Sequence, residues 1–124
     1  MKILIVDDDE LMLKSIRHSL TEDGYEVSVA EDVSKALVVL DEEKIDLIIS
    51  DIMMPHVSGL GLLSLLKQYY FDRIPVILIS SLDKGDVVTN SLGLGASYFL
   101  AKPVDSKELL LCVKNIFNNP KVSG

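Results

Sequence analysis

Five short apolar runs punctuate the chain: ILIV (3–6), YEVSVA (25–30), DLIIS (46–50), VILIS (76–80) and SYFLA (97–101). Three of them are unbroken stretches of leucine and β-branched residues, the pattern of strands covered on both faces. YEVSVA alternates instead, which suits an edge strand. Between the runs, apolar residues recur at helical spacing. Leu13, Ile16 and Leu20 share one face; so do Val33, Ala36, Leu37 and Leu40. Leu62, Leu63, Leu66 and Tyr70 line a third helix, and Leu109, Leu110, Val113, Ile116 and Phe117 the last. Strand and helix alternate five times. That predicts a doubly wound α/β domain: a five-stranded parallel sheet in the order 2-1-3-4-5, right-handed crossovers, and five helices on both faces.

The segment DKGDVVTNSLGLGA (83–96) is the poorest helix former, with glycines, adjacent valines and a threonine. It is expected to be a helix of marginal stability. Asp105 with Glu108 has the form of a capping box for the last helix, with Asp in the Ser/Thr position. A chain of 124 residues is the size of one domain. Residues 1–119 are read as that domain, and 120–124, polar with a proline and a glycine, as a tail or the start of a linker. The net charge of −7 argues against direct nucleic-acid binding and against anionic membranes, both polyanions. No apolar run approaches the roughly 18 residues of a membrane span. Lys2 leads straight into a strand and then acids, unlike a signal peptide. Cys112 is the only cysteine and reads as a small apolar residue of the last helix. A cytoplasmic protein is the expectation.

In an open parallel sheet, ligands bind beyond the carboxyl ends of the strands. Asp7, Asp8 and Asp9 follow strand one, and Asp51 follows strand three. Ser80 closes strand four, and Lys102 follows strand five. Each has an ordinary reading alone: an Asp caps a helix or starts a turn, a Ser caps, a Lys is solvated. Their joint placement at one edge is not ordinary. Two carboxylates about 4 Å apart repel by roughly 4 kcal/mol at an effective dielectric near 20. Either one protonates or a cation binds. An all-oxygen cleft suits a hard divalent ion, Mg²⁺ or Mn²⁺. Zinc is disfavoured, because His18 and His56 lie on different segments with no second ligand at zinc spacing. A metal clamp, a lysine clamp and a carboxylate nucleophile are the parts phosphoryl transfer needs.

With ILIVDDDE, LIISDIMMP, VILISS and GASYFLAKP in this order, the chain resembles the receiver domain of two-component response regulators over nearly its whole length. The resemblance implies a flavodoxin-like fold and a phosphoacceptor signalling role. It implies a domain that is not an enzyme but assists its own phosphorylation and dephosphorylation. By position, Asp51 resembles the phosphoacceptor. Asp8 resembles a direct metal ligand, Asp7 a direct or water-mediated one, and Met53 a ligand through its backbone carbonyl. Lys102 resembles the phosphoryl-contacting lysine, and the Lys102–Pro103 bond one that is usually cis. Ser80 resembles the Ser/Thr that follows the phosphoryl group, Ser81 a small residue leaving access, and Phe99 the aromatic switch. Met53 and Leu82 resemble the positions that tune hydrolysis; both are apolar here, which implies slow autodephosphorylation. The implied partners are a histidine kinase or histidine phosphotransfer protein. Downstream stands an output protein, or an effector domain outside this chain, reached through the fourth helix, fifth strand and fifth helix.

Three positions depart from the family pattern. Ser58 stands where Asp is frequent, and Val104 follows KP where Phe is common. Ser97 and Tyr98 replace acidic residues found before the switch aromatic in the large winged-helix subfamily, which bears on dimerisation through that face. Two other readings compete. A haloacid-dehalogenase-like phosphatase would use Asp7 as nucleophile with Asp9 completing D-x-D. However, Leu11 stands where it expects Thr or Val, and LIISDIMMP has no role in it. A receiver-like binding module would work without phosphorylation. Flavin binding fits less well, because three acids after strand one repel a flavin phosphate.

Overall fold

The computed structural model describes residues 1–51, 74–80 and 96–118. The described residues form β1 (Lys2–Val6), α1 (Glu10–Glu22), β2 (Glu26–Ala30), α2 (Val33–Glu42), β3 (Leu47–Asp51), β4 (Val76–Ser80) and β5 (Tyr98–Ala101). A last helix, α3, follows at Ser106–Asn118. The strands are all parallel and lie in the order β2-β1-β3-β4-β5, as the sequence predicts. The expected helices between β3 and β4 and between β4 and β5 fall outside the described residues.

The unbroken apolar runs are the inner strands. β3 and β4 are buried at every position, and β1 at all but Lys2. Alternation at period two sorts their side chains onto two faces. Leu4, Val6, Ile48 and Leu78 meet Val33, Ala36 and Leu40 of α2. Ile3, Ile5, Leu47, Ile49, Ile77 and Ile79 meet α1 and α3 through Leu13, Ile16, Leu20, Leu109, Val113 and Ile116. Each such aliphatic side chain contributes about 1.5–3 kcal/mol by leaving water. β2 lies at an edge, as its alternation predicts. Cys112 is buried on α3, in agreement with its apolar reading. No helix among the described residues is long and apolar enough to cross a membrane.

Local signals set the helix ends. Asp9 caps α1, accepting from Leu11 N at 3.0 Å and Met12 N at 3.3 Å. Asp32 caps α2 through Lys35 N at 2.8 Å. α1 ends in a Schellman closure, with Tyr25 N–H to the Leu20 carbonyl and Gly24 N–H to the Thr21 carbonyl, both 3.1 Å. Gly24 has φ +92°, a conformation that favours glycine. Before α3, the Asp105 carboxylate accepts from Lys107 N at 3.2 Å. That is one residue earlier than the capping-box pattern, since a short Asp side chain closes most readily on the N–H two residues ahead.

Candidate functional site

β1 and β3 are neighbours, with Val6 registered to Ser50. The residues at the carboxyl ends of both strands therefore meet. One carboxylate oxygen from each of Asp7, Asp8 and Asp51 lies within 4.8 Å of the others. Asp7 and Asp51 are buried, 1% and 5% exposed, while Asp8 is open to solvent. The third acid of the run points elsewhere. The Asp9 carboxylate is committed to the N-terminus of α1, and its backbone N–H donates to Asp7 Oδ1 at 3.0 Å.

Lys102 reaches this cluster from the end of β5. Its Nζ donates to Asp51 Oδ2 at 3.0 Å and lies 3.3 Å from Asp7 Oδ2. The second contact is an ion pair, and Asp7 Oδ2 is a buried oxygen with no hydrogen-bond partner among the described residues. Lys102 is itself tethered: its backbone N–H donates to the Ser80 carbonyl at 2.9 Å, and the Lys102–Pro103 peptide bond is cis.

Burial pushes the Asp7 carboxyl above its ordinary value. The Asp9 N–H opposes that, the charge of Asp51 adds to it, and Lys102 opposes it. Burial alone would lower the pKa of Lys102. The hydrogen bond to Asp51 and the charges of Asp7 and Asp51 together outweigh burial and raise it. A charged ammonium therefore sits against Asp7 and Asp51, with the Asp8 carboxylate beside that pair. The three acids offer carboxylate oxygens, and Asp7 Oδ2 is buried with no hydrogen-bond partner among the described residues. These residues fit a hard divalent cation such as Mg²⁺ or Mn²⁺.

Ser80 is fully buried at the end of β4, registered with Ala101, one residue before Lys102. Phe99 is half-buried in β5, registered with Leu78, and packs against the cluster on the α2 side. Tyr98 and Val104 pack against the cluster on the α1–α3 face, so the valine after Pro103 has an apolar seat. His18 is exposed and sits 3.3 Å from Glu22. Met53, His56, Ser58, Ser81 and Leu82 lie outside the described residues. Three features escaped the sequence reading: the specific capping role of Asp9, the contact of Lys102 with Asp7, and a buried hydroxyl at Ser50. The signals were present. Asp9 directly precedes the apolar period of α1, and Ser50 is a polar residue in an apolar run.

The family model for the response regulator receiver domain matches residues 3–114. The chain belongs to the response regulator receiver family. The transcriptional regulatory protein CrdR of Helicobacter pylori is 33% identical over 121 residues, covering 98% of this chain and 57% of that protein. The alkaline phosphatase synthesis regulator PhoP of Bacillus subtilis is 31% identical, covering 99% of this chain and 51% of that protein. This receiver domain thus spans about half the length of the regulators it matches. Among solved structures, the receiver domain of Francisella response regulator 1452 superimposes with TM-score 0.88 at 32% identity, covering 94% of this chain and 96% of that one. A CheY-like receiver protein from Methanospirillum hungatei gives 0.89 at 29% identity, covering 99% and 98%. Receivers of this family are signalling domains that take phosphoryl groups from histidine kinases and bind Mg²⁺ at an acidic pocket. The phosphatase reading is not favoured, and the Asp9 carboxylate it needs is occupied as a helix cap.

The raised Asp7 pKa gives the receiver domain a pH signature. The native chain holds the Asp7 proton more tightly than the unfolded chain does, so stability rises as pH falls through the raised value. In chelator, the unfolding midpoint of wild type relative to Asp7→Asn is expected to rise on acidification. The rise should be complete below the ordinary value of 3.8. A difference that stays flat with pH would show that Asp7 is not desolvated.

Proposed function

We propose that this receiver domain takes a phosphoryl group onto Asp51 from a phosphohistidine on a histidine kinase or histidine phosphotransfer protein. The observation that carries the reading is the meeting of the Asp7, Asp8 and Asp51 carboxylates within 4.8 Å, with Lys102 Nζ 3.0 Å from Asp51 Oδ2. An electron pair on an Asp51 carboxylate oxygen forms the new P–O bond as the P–N bond to histidine breaks. The imidazole nitrogen leaves with the P–N bonding pair and is neutral once protonated from solvent. Lys102 exchanges its carboxylate contacts for the phosphoryl oxygens, and Ser80 supplies a hydroxyl to them. Asp8, Asp51, the Met53 backbone carbonyl and Asp7, directly or through water, would hold Mg²⁺ or Mn²⁺. When bound, the ion offsets the charge of the carboxylates and phosphoryl oxygens. Ser81 matches by position the family's small residue and is assigned the same role of leaving access to the phosphoryl group.

As Ser80 moves toward the phosphoryl group, Phe99 turns inward. The segment between β4 and β5, with β5 and α3, changes its outer surface. Phosphorylation biases an equilibrium already present. The recipient of the signal is an output protein, or an effector domain beyond a receiver unit ending near residue 119. The domain works in the cytoplasm and leaves nucleic acid to that partner.

The test is labelling with a small-molecule phosphodonor with and without Mg²⁺, followed by acid quench and peptide mapping. Mg²⁺-dependent label at Asp51 supports the proposal. Label at Asp7 would revive the phosphatase reading, and no label would leave a binding module that works without phosphorylation. Met53 and Leu82 are apolar and orient no water, so the aspartyl phosphate is long-lived. Leu82→Asn or Met53→Asn is expected to shorten its lifetime by about tenfold, or about 1.4 kcal/mol of barrier. Decay of the label measures this, and an unchanged or longer lifetime counts against it.

A further inference from the structure

β3 is aliphatic along its length until Ser50. In the sheet register Ser50 stands between Val6 of β1 and Leu78 of β4. Alternation puts it on the face of Ile48, which α2 covers. It is 0% exposed. A hydroxyl in an aliphatic layer costs free energy unless it is hydrogen-bonded. Ser50 Oγ donates to the main-chain carbonyl oxygen of Asp51 at 3.1 Å. The side chains of Ser50 and Asp51 leave the strand on opposite sides. The hydroxyl therefore takes no place in the acid pocket. It acts on the backbone of Asp51, the last residue of the strand, which stays in register with Ile79 of β4 but lies beyond the last registered pair with β1.

We propose that Ser50 is a positioning residue for the acid pocket. By holding the Asp51 carbonyl, it fixes the orientation from which the Asp51 carboxylate faces Asp7, Asp8 and Lys102, and so tunes affinity for the divalent cation. A valine at position 50 would extend the apolar layer and still fill the site. What it lacks is the bond to the residue that ends β3. The inference rests on the reading of Asp51 as cation ligand and phosphoacceptor.

Ser50→Thr and Ser50→Val have nearly the same shape and differ by one hydroxyl, so any crowding is common to both. Each is titrated with Mg²⁺ alone, followed by amide chemical shifts, and melted in chelator. The valine variant is expected to bind Mg²⁺ about fivefold more weakly than the threonine variant, the worth of one hydrogen bond of about 1 kcal/mol. Its metal-free midpoint should equal or exceed that of the threonine variant. A purely structural hydroxyl would lower the midpoint and leave the affinity alone, and that result overturns the proposal. Ser50→Ala adds no bulk and serves if the larger side chains prevent folding; it should bind as weakly as the valine variant, and wild-type affinity there overturns the proposal. Asp51→Asn in the same titration separates the two levels. Unchanged affinity in that variant would remove the cation-site reading itself. Equal affinities for valine and threonine, beside a weakened Asp51→Asn, would remove only the role of Ser50.

Discussion

Asp51→Asn is expected to fold and to take up no phosphoryl group from a small-molecule donor at any Mg²⁺ concentration. An amide oxygen carries no full negative charge and is a poor nucleophile toward phosphorus. The neighbouring acids do not stand in for it. Asp7 is buried and already accepts the Asp9 N–H on Oδ1, and the Asp9 carboxylate caps α1. Asp8 is exposed, and no bond from Lys102 to it accompanies those to Asp51 and Asp7. Label should therefore fall to background, as read by intact mass before and after acid quench. Stoichiometric label persisting in the variant would place the acceptor elsewhere and end the assignment.

The second large effect concerns Lys102. In chelator, Lys102→Ala is expected to destabilise the chain by about 2 kcal/mol. Removing one partner of a buried ion pair costs about 3–5 kcal/mol, reduced here because the Lys102 side chain is 19% exposed. The loss leaves Asp7 and Asp51, 2% and 6% exposed at their side chains, facing each other without a cation. For a chain of this size the melting midpoint should fall by about 6–10 °C. Mg²⁺ should recover much of the loss, since it supplies the missing positive charge. Wild type gains about 1.4 kcal/mol at roughly ten times its dissociation constant. The variant, without the competing ammonium, should gain more at the same Mg²⁺ concentration. If the two proteins melt together in chelator, Lys102 does not neutralise the pocket.

The sheet was legible because burial leaves a direct trace. ILIV, DLIIS and VILIS are unbroken since both of their faces are covered, and YEVSVA belongs to the edge strand β2, which is less buried, with Val29 39% exposed. The apolar faces of α1, α2 and α3 were legible for the same reason: Leu13, Ile16, Leu20, Val33, Ala36, Leu40, Leu109, Val113 and Ile116 are all buried. The gathering of Asp7, Asp8 and Asp51 followed from strand order. What the acids do to one another did not. The sequence shows their repulsion and suggests an outside cation. The structure adds an internal one, Lys102, 51 residues beyond Asp51. Such a pairing arises from the closing of the sheet, and no local spacing announces it. Asp9 was hidden for a related reason: in a run of like charges, composition does not tell which carboxylate turns toward a helix. Ser50 looked like the polar end of a strand, whereas its hydroxyl is bonded one residue onward.

The amide of Lys102 is fastened to the Ser80 carbonyl, so the two side chains proposed to greet the phosphoryl oxygens are mounted on a common frame. Neither can approach by sliding its strand past the other. Their response is confined to torsions about side-chain bonds, which are faster than collective shifts of whole elements. The initial reaction to modification is therefore fast and local, and the tempo of any slower rearrangement is set by the parts of the molecule those torsions release.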